Sequence, residues 1–432
     1  MFDPGETYKD IKILGFVAAG GQGEVYRVEV SGRIMALKVF YEKYSELADE
    51  RRLRELVDKR LWTLSTLLHA APQRVERVGS RLAHLSEFVE GRSLEAVMEQ
   101  AQTSGDLPWS FPDGLQIAVS IAQGIAICEE QGIAIGDIAA NNLTIVAKAG
   151  HYEIYLMDLD NYASAEQAEP RMLGQQLYLS PELISGAATT PTVESDRYAL
   201  GVLLHEILLL AHPKAGRDGT PEEFNLAVAE GRWHQDPQYP RTTRSAGGYP
   251  AEVLSPTIQR LFRQAQSVEP ARRPTAKIWV HALWEVLDET HGSGVYQCES
   301  CDGYYLSDIT KDRCPYCGVS HPVLGLDTGS GIISLNARVN PIGREQLGGS
   351  KHISRLHVVV RRIGPEYLLE VVSSSGTWRY RDGEWVRLPV RVPVPIAPGD
   401  KLRIGDMNVR VVVVQDNDSG TSRSPMEVTE DA

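Results

Sequence analysis

The 432-residue chain is short of basic charge, of cysteine and of any long apolar run. Lys and Arg number 44 against 57 Asp and Glu, a formal net charge of −13. No broad cationic surface follows from that balance, so nucleic acid is excluded as the main partner. The start of the chain, MFDPGETYKD, has no basic stretch leading into an apolar one, so no secretory signal is visible. The most apolar window, YALGVLLHEILLLA at 198–211, carries His205 and Glu206 and is too short to cross a bilayer. These absences predict a soluble, cytoplasmic protein without a membrane partner. Five cysteines in that compartment speak for metal binding over disulfides.

What is present divides into segments. The length exceeds one hydrophobic core, so several domains are expected. Residues 8 to 90 read as strand-rich with one charged helix, and 93 to 290 as mostly helical. Near THGSGVYQC, at 290–298, a helical pattern gives way to Gly and Ser. Beyond Cys317, short Val/Ile/Leu/Arg runs are broken by Gly, Pro and Asp, the pattern of an all-β module. A polar, acidic tail at 416–432 reads as disordered. No internal repeat is visible.

The first chemical signal is ILGFVAAGGQGEVYRVEVSGRIMALKVF. Two strand patterns flank a Gly cluster, and Lys38 follows in a third. Gly20 and Gly23 permit close approach of backbone to phosphates, and Val25 can lie on an adenine face. A plain hairpin turn would look the same, so the order of the downstream motifs decides. LSEFVEGRSLEAVM gives a strand, a connector at Glu87 to Gly91 that includes Val89, and a helix start. Then come GDIAANN with Asp137 and Asn142, LMDLD with Asp158, YLSPEL with Glu182, ESDRYALG with Asp196 and VEPARRPTA with Arg273.

Together these resemble the eukaryotic-like protein kinase family over 8–290. The resemblance implies an α+β bilobal fold, with a small lobe at about 8–86, a large lobe at about 92–290, and ATP between them at a hinge containing Glu87 and Val89. It implies that Lys38 holds the α- and β-phosphates and pairs with a helix glutamate, Glu55 first and Glu50 second. Asp137 takes the place of the catalytic base, and Asn142 and Asp158 the places of ligands to Mg²⁺ or Mn²⁺. Glu182 with Arg273, and Asp196 below the loop, take architectural places.

The departures are specific. Ala18 replaces the first loop glycine, and Ile135-Gly136 replace the His-Arg before the base. Asp158-Leu159-Asp160 replaces Asp-Phe-Gly; Asp160 reads as a turn residue or as a third metal-facing group, with the turn favoured. Most of the family places a cation two or four residues after the base, where this chain has Ala139 and Asn141. Losing one such contact can cost on the order of 10²-fold in rate, while Lys38, Asp137 and Asp158 are all kept. The reading is therefore an atypical Ser/Thr kinase; the alternative is an ATP-binding pseudokinase serving as a phosphothreonine-dependent adaptor.

YQCESCDGYYLSDITKDRCPYCGVSH holds Cys298, Cys301, Cys314 and Cys317 as two C-x2-C pairs, the spacing of a tetrahedral thiolate site. Gly303 and Gly318 suit the tight turns. A small structural Zn²⁺ ribbon over 294–322 is expected, with His321 a spare and Cys128 a buried core residue. From 323 to 415, GR, SRLH and SSSGT resemble the forkhead-associated (FHA) domain, an all-β sandwich that reads phosphothreonine. The resemblance puts Arg344, Ser354, Arg355 and Ser375 at the phosphopeptide and makes His357 a loop brace; Ser375 stands where the family has Asn. The expected partners are protein substrates, phosphothreonine proteins or the chain's own phosphorylated segments, and a cognate phosphatase. Thr7, Thr421 and Thr429 are candidate self-sites.

Overall fold

Alternating apolar and polar residues fold the start of the chain into an antiparallel sheet. In the computed structural model, which describes residues 2–104, 109–164, 175–214, 221–236, 249–287, 294–306, 313–337, 339–348, 350–363 and 366–414, its strands are β1 (Thr7–Tyr8), β2 (Ile11–Ala19), β3 (Gly23–Val30), β4 (Arg33–Phe40), β5 (Arg74–Val78) and β6 (Arg81–Glu87). They pair in the order β1-β2-β3-β4-β6-β5. One face buries Ile11, Tyr26, Val28, Leu37, Val39 and Leu85. The other packs Phe40 and Leu82 against Leu53 of helix α1 (Leu47–Asp58).

The following lobe carries β7 (Arg92–Ser93), α2 (Leu94–Ser104), α3 (Phe111–Glu130), β8 (Ile133–Ala134), β9 (Leu143–Lys148), β10 (His151–Leu156), β11 (Ala163–Ser164), α4 (Pro181–Ile184), α5 (Val193–Leu209), α6 (Pro221–Ala229), α7 (Pro256–Ala265) and α8 (Ala276–Leu287). Ser110 caps α3 in a reciprocal capping box with Asp113. At 20 residues and mean hydropathy 1.3, α3 has the length and composition of a bilayer span, and it is longer than the 198–211 window that the sequence singled out. It packs on α5 and α8, and its apolar side chains form the lobe's core. His205 in α5 is accommodated because its Nε2 accepts from Trp233 Nε1 at 2.8 Å and its Nδ1 donates to the Ala211 carbonyl. Burial pushes it down to about 3, so it stays neutral.

The chain divides into two units, Met1–Leu287 and Asp288–Ala432. The second begins with the antiparallel pair β12 (Val295–Gln297) and β13 (Tyr304–Leu306). There follow β14 (Val323–Asp327), β15 (Ile332–Ser334), β16 (Val339–Ile342), β17 (Val358–Ile363), β18 (Glu366–Val371), β19 (Thr377–Arg381), β20 (Glu384–Arg387), β21 (Pro393–Ile396), β22 (Lys401–Ile404) and β23 (Met407–Val414). They form a six-stranded sheet, β15-β14-β23-β22-β19-β20, and a four-stranded sheet, β16-β17-β18-β21. Both contribute to one core, with Leu326, Leu402 and Val411 from the first and Val358, Val360 and Leu369 from the second. The all-β module is thus a two-sheet sandwich.

Candidate active site, metal site and anion pocket

Strand register places the first group. Val25 pairs with Lys38 and Lys38 with His84, so the three side chains form a row on one face of the sheet. Gly23 is close-packed within that sheet: a Cβ there would lie 2.3 Å from the Val39 carbonyl, so glycine is required by β4 itself. Around Gly20 the space is open. Glu87 pairs with Met35, on the face opposite Lys38, and its carboxylate meets Arg33 at 2.9 Å. Its side chain is thus turned away from the row, and only its main chain can serve a ligand there. Val89 is half-buried in the connector that follows.

Lys38 does not meet the glutamate expected of it. Glu55 lies 3.9 Å from Lys59, and Glu50 pairs with Arg54 and Arg77 at 2.7 and 2.8 Å. The buried polar side chains of α1 are Asp49 and Arg52, which pair with each other at 2.9 Å. Lys38 Nζ bonds instead to Asp158 Oδ1 at 3.1 Å and to Asp160 Oδ1 and Oδ2 at 3.1 and 3.0 Å. Asp160 sits in a 3₁₀ turn, Leu159–Asn161, as its turn reading requires. Its side chain is nevertheless only 2% exposed, with His84 Nε2 at 3.7 Å. Burial opposes both charges, yet the Asp160 and Asp158 carboxylates raise Lys38 above its usual value. Lys38, with His84, holds Asp160 well below the carboxylate range.

The second group gathers at the open end of the β9–β10 hairpin, whose last pair is Leu143 with Leu156. Met157 N–H donates to the Asn142 carbonyl at 2.8 Å, which brings Asp158 beside the GDIAANN loop. Asn142 Nδ2 donates to the Asp137 carbonyl at 2.9 Å, and Gln175 N–H donates to Asp137 Oδ1 at 3.3 Å. Asp196 accepts the N–H groups of Ile135 and Gly136, and burial pushes its carboxyl up to about 7. Ala140 N–H donates to Tyr178 Oη at 3.3 Å, and Tyr178 donates on to Glu206, which burial also pushes up to about 7. Ala139 is fully buried and Asn141 exposed. Arg273 grips Glu182 through two bonds of 2.7 Å. Cys128 lies buried in α3.

In the second unit the four cysteine Sγ atoms all lie within 4.8 Å of one another. Cys298 and Cys317 are 3.8 Å apart and Cys301 and Cys314 3.7 Å. A tetrahedron with Zn–S near 2.3 Å has edges of about 3.8 Å, so the spacing fits that ion and is too wide for disulfides. Tyr316 N–H points at Cys314 Sγ at 3.4 Å. His321 contacts Tyr305, leaving the four thiols as the cluster.

In the sandwich, Arg344 N–H donates to the Ser354 carbonyl at 3.0 Å and its Nε to the Ile353 carbonyl at 2.9 Å. Gly343 permits this approach, since a Cβ there would overlap the Arg355 carbonyl at 1.8 Å. Ser354 and Ser373 share a 2.7 Å bond between hydroxyls, and Ser375 N–H donates to Ser373 Oγ at 3.1 Å. His357, fully buried, accepts from Ser354 N–H at Nδ1 and donates from Nε2 to the Gly376 carbonyl at 2.9 Å. Among the described residues no acceptor reaches the Nη atoms of Arg344, and Arg355 is exposed. Thr7 is exposed on β1; Thr421, Thr429 and the tail from 416 lie outside the described residues.

Sequence reasoning missed His84, Ser373, Tyr178 and the burial of Asp160. Only His84 left a cue, a lone imidazole inside the apolar strand RLAHLSE.

The protein kinase domain family matches residues 8–285. Similar curated proteins include the serine/threonine-protein kinase pkn2 of Myxococcus xanthus, 28% identical over 305 residues, covering 65% of this chain and 32% of that protein. Another is the serine/threonine-protein kinase PknD of Protochlamydia amoebophila, 24% identical over 304 residues, covering 61% and 29%. The chain spans about a third of the length of these relatives. Among solved structures, the Mycobacterium tuberculosis PknI kinase domain matches with TM-score 0.44 and 17% identity, over 66% of this chain and 99% of that one.

Proposed function

The chain belongs to the protein kinase family, and from that premise we propose that it is a Ser/Thr protein kinase joined to a zinc ribbon and a phosphothreonine reader. One observation carries the kinase reading. Lys38, from β4, meets Asp158 at 3.1 Å, and the residue before Asp158 is bonded to Asn142 of the Asp137 loop. These contacts, with the Asn142 amide on the Asp137 carbonyl, support reading the four residues as one site.

Asp137, its carbonyl clamped by Asn142 and its carboxylate steadied by Gln175 N–H, would accept the proton of the incoming Ser or Thr hydroxyl. That oxygen forms the new bond to phosphorus as the bond to the bridging oxygen of ADP breaks. Lys38 would hold the α- and β-phosphates. Asp158, whose side chain is 57% exposed, and Asn142 offer the hard oxygens that Mg²⁺ prefers; bound there, the ion would neutralise charge on the phosphates. The methyl of Ala139 supplies no cation to the transferring group, so the rate should be low for a kinase. Incubation with γ-labelled ATP and Mg²⁺ tests this reading: transfer that Asp137→Asn leaves unchanged would refute it, and nucleotide binding without transfer would favour the adaptor reading.

Cys298, Cys301, Cys314 and Cys317 fill a closed tetrahedral shell, which suits structural Zn²⁺. For the reader, Arg344 and Arg355 supply guanidinium groups, and Ser354 and Ser375 polar donors, for a dianion. Ser373 orders the two serines, and His357 fixes their loops. Arg344→Ala should abolish binding to phosphothreonine peptides without lowering the melting temperature; equal binding by the variant would refute this pocket.

A further inference from the structure

Lys38 needs an anion, because a buried ammonium without one is costly. Helix α1 does not provide it. Its buried polar side chains are Asp49 and Arg52, which pair with each other at 2.9 Å, while Glu50 and Glu55 meet Arg77, Arg54 and Lys59. We infer that Asp160 is the positioning residue of Lys38, supplying from the segment after Asp158 the carboxylate that α1 lacks.

Three features support the assignment. Both Asp160 oxygens reach Lys38 Nζ, at 3.0 and 3.1 Å, so one carboxylate fixes the ammonium in two directions. His84 stands beside Lys38 in the strand register, with its Nε2 3.7 Å from Asp160 Oδ1, and among the described residues its buried ring nitrogens have no hydrogen-bond partner. The segment is also anchored beyond Asp160, where the fully buried Tyr162 donates to the Arg52 carbonyl at 3.0 Å. Asp160 and the α1 residues Asp49, Arg52 and Leu53 line one small cavity of about 10 Å³ together with Gln22.

The consequence is regulatory as well as geometric. Lys38 is positioned by the 158–162 segment, so displacing that segment would release it, whereas altering the α1 glutamates would not. Asp160 also spares Asp158. With Asp160 present, Asp158 shares Lys38 and keeps an exposed carboxylate; without it, Asp158 would be the remaining anion for Lys38 and would be drawn from the metal.

The inference rests on the ATP-dependent reading of the cleft, and its test separates the two. ATP affinity is measured by calorimetry with Mg²⁺ and with chelator, alongside kcat and KM for peptide phosphorylation. Full-length wild type is compared with Asp160→Asn, Asp160→Glu, Glu50→Gln and Glu55→Gln. Asp160→Asn should weaken ATP binding even with chelator and lower kcat roughly 10²-fold, the scale set by misplacing a catalytic group by about 1 Å. Asp160→Glu should recover part of both. The α1 variants, at half-buried carboxylates that meet Arg54, Arg77 and Lys59 and not Lys38, should stay within about 2-fold per folded molecule. A role confined to folding would lower the melting temperature of Asp160→Asn but leave its Kd and kcat per folded molecule at wild-type values, and that overturns the inference. Loss of ATP binding in Glu50→Gln or Glu55→Gln overturns it too. Wild type that binds no ATP refutes the underlying reading instead.

Discussion

Asp196 and Glu206 lie beneath the GDIAANN loop, and burial pushes both carboxyls up to about 7. A carboxyl raised in the folded state stabilises it below the unfolded value, near 4.5 for Glu, and loses that contribution as pH rises through the folded value. Glu206→Gln removes the titration while leaving Tyr178 an acceptor. The melting temperature of the variant relative to wild type should therefore rise by a few degrees between pH 4 and pH 8. A difference that does not vary with pH would contradict this account of Glu206. At this scale, the order of motifs and the family resemblance they carry named Lys38, Asp137, Asn142 and Asp158 as a set. The partner of Lys38 was not legible, because LADERRLRELVD is charged nearly all round and spacing does not say which side faces the sheet. Asp160 reads as a turn residue and does sit in a turn; its burial depends on Lys38 and His84, far away in sequence.

Elements show where patterning sufficed. The small-lobe strands follow from alternation, and β3 and β4 pair without a shift from Gly23–Phe40 to Val30–Arg33. That register sets the row Val25, Lys38, His84, and Gly23 protects it. Gly23→Ala should cost about 1–3 kcal/mol, read as a lower urea midpoint, because the β4 backbone must retreat from the new methyl. An unchanged midpoint would mean that the close approach at Val39 is not maintained. The β9–β10 hairpin was harder to see within a region read as mostly helical. It is short, but its open end brings Asn142 and Asp158 together. In the sandwich, GR, SRLH and SSSGT marked the loops, yet Ser373 escaped notice because its role depends on the 2.7 Å contact with Ser354.

At the scale of the molecule, the chain comprises a kinase-family unit and a second unit that holds the four-cysteine cluster and the sandwich. Composition signalled that division near residue 290. Each unit has its own hydrophobic core, so calorimetry of the full chain should show separable transitions. Zinc chelation should lower the transition of the Asp288–Ala432 unit and leave that of Met1–Leu287 in place; no shift in either would count against a folded-state metal at the four cysteines. If the reader captures what the kinase makes, Arg344→Ala should reduce retention of phosphorylated protein without changing its rate of formation. The central claim, that an Asp137 loop lacking a nearby cation still transfers phosphate, is tested most directly under single-turnover conditions. Excess protein is mixed with γ-labelled ATP and Mg²⁺, and phosphoamino acids are identified for wild type and Asp137→Asn. The account predicts slow, stoichiometric appearance of phosphoserine or phosphothreonine in wild type and none in the variant. Equal label in both, or ATP bound throughout with no transfer, would contradict it.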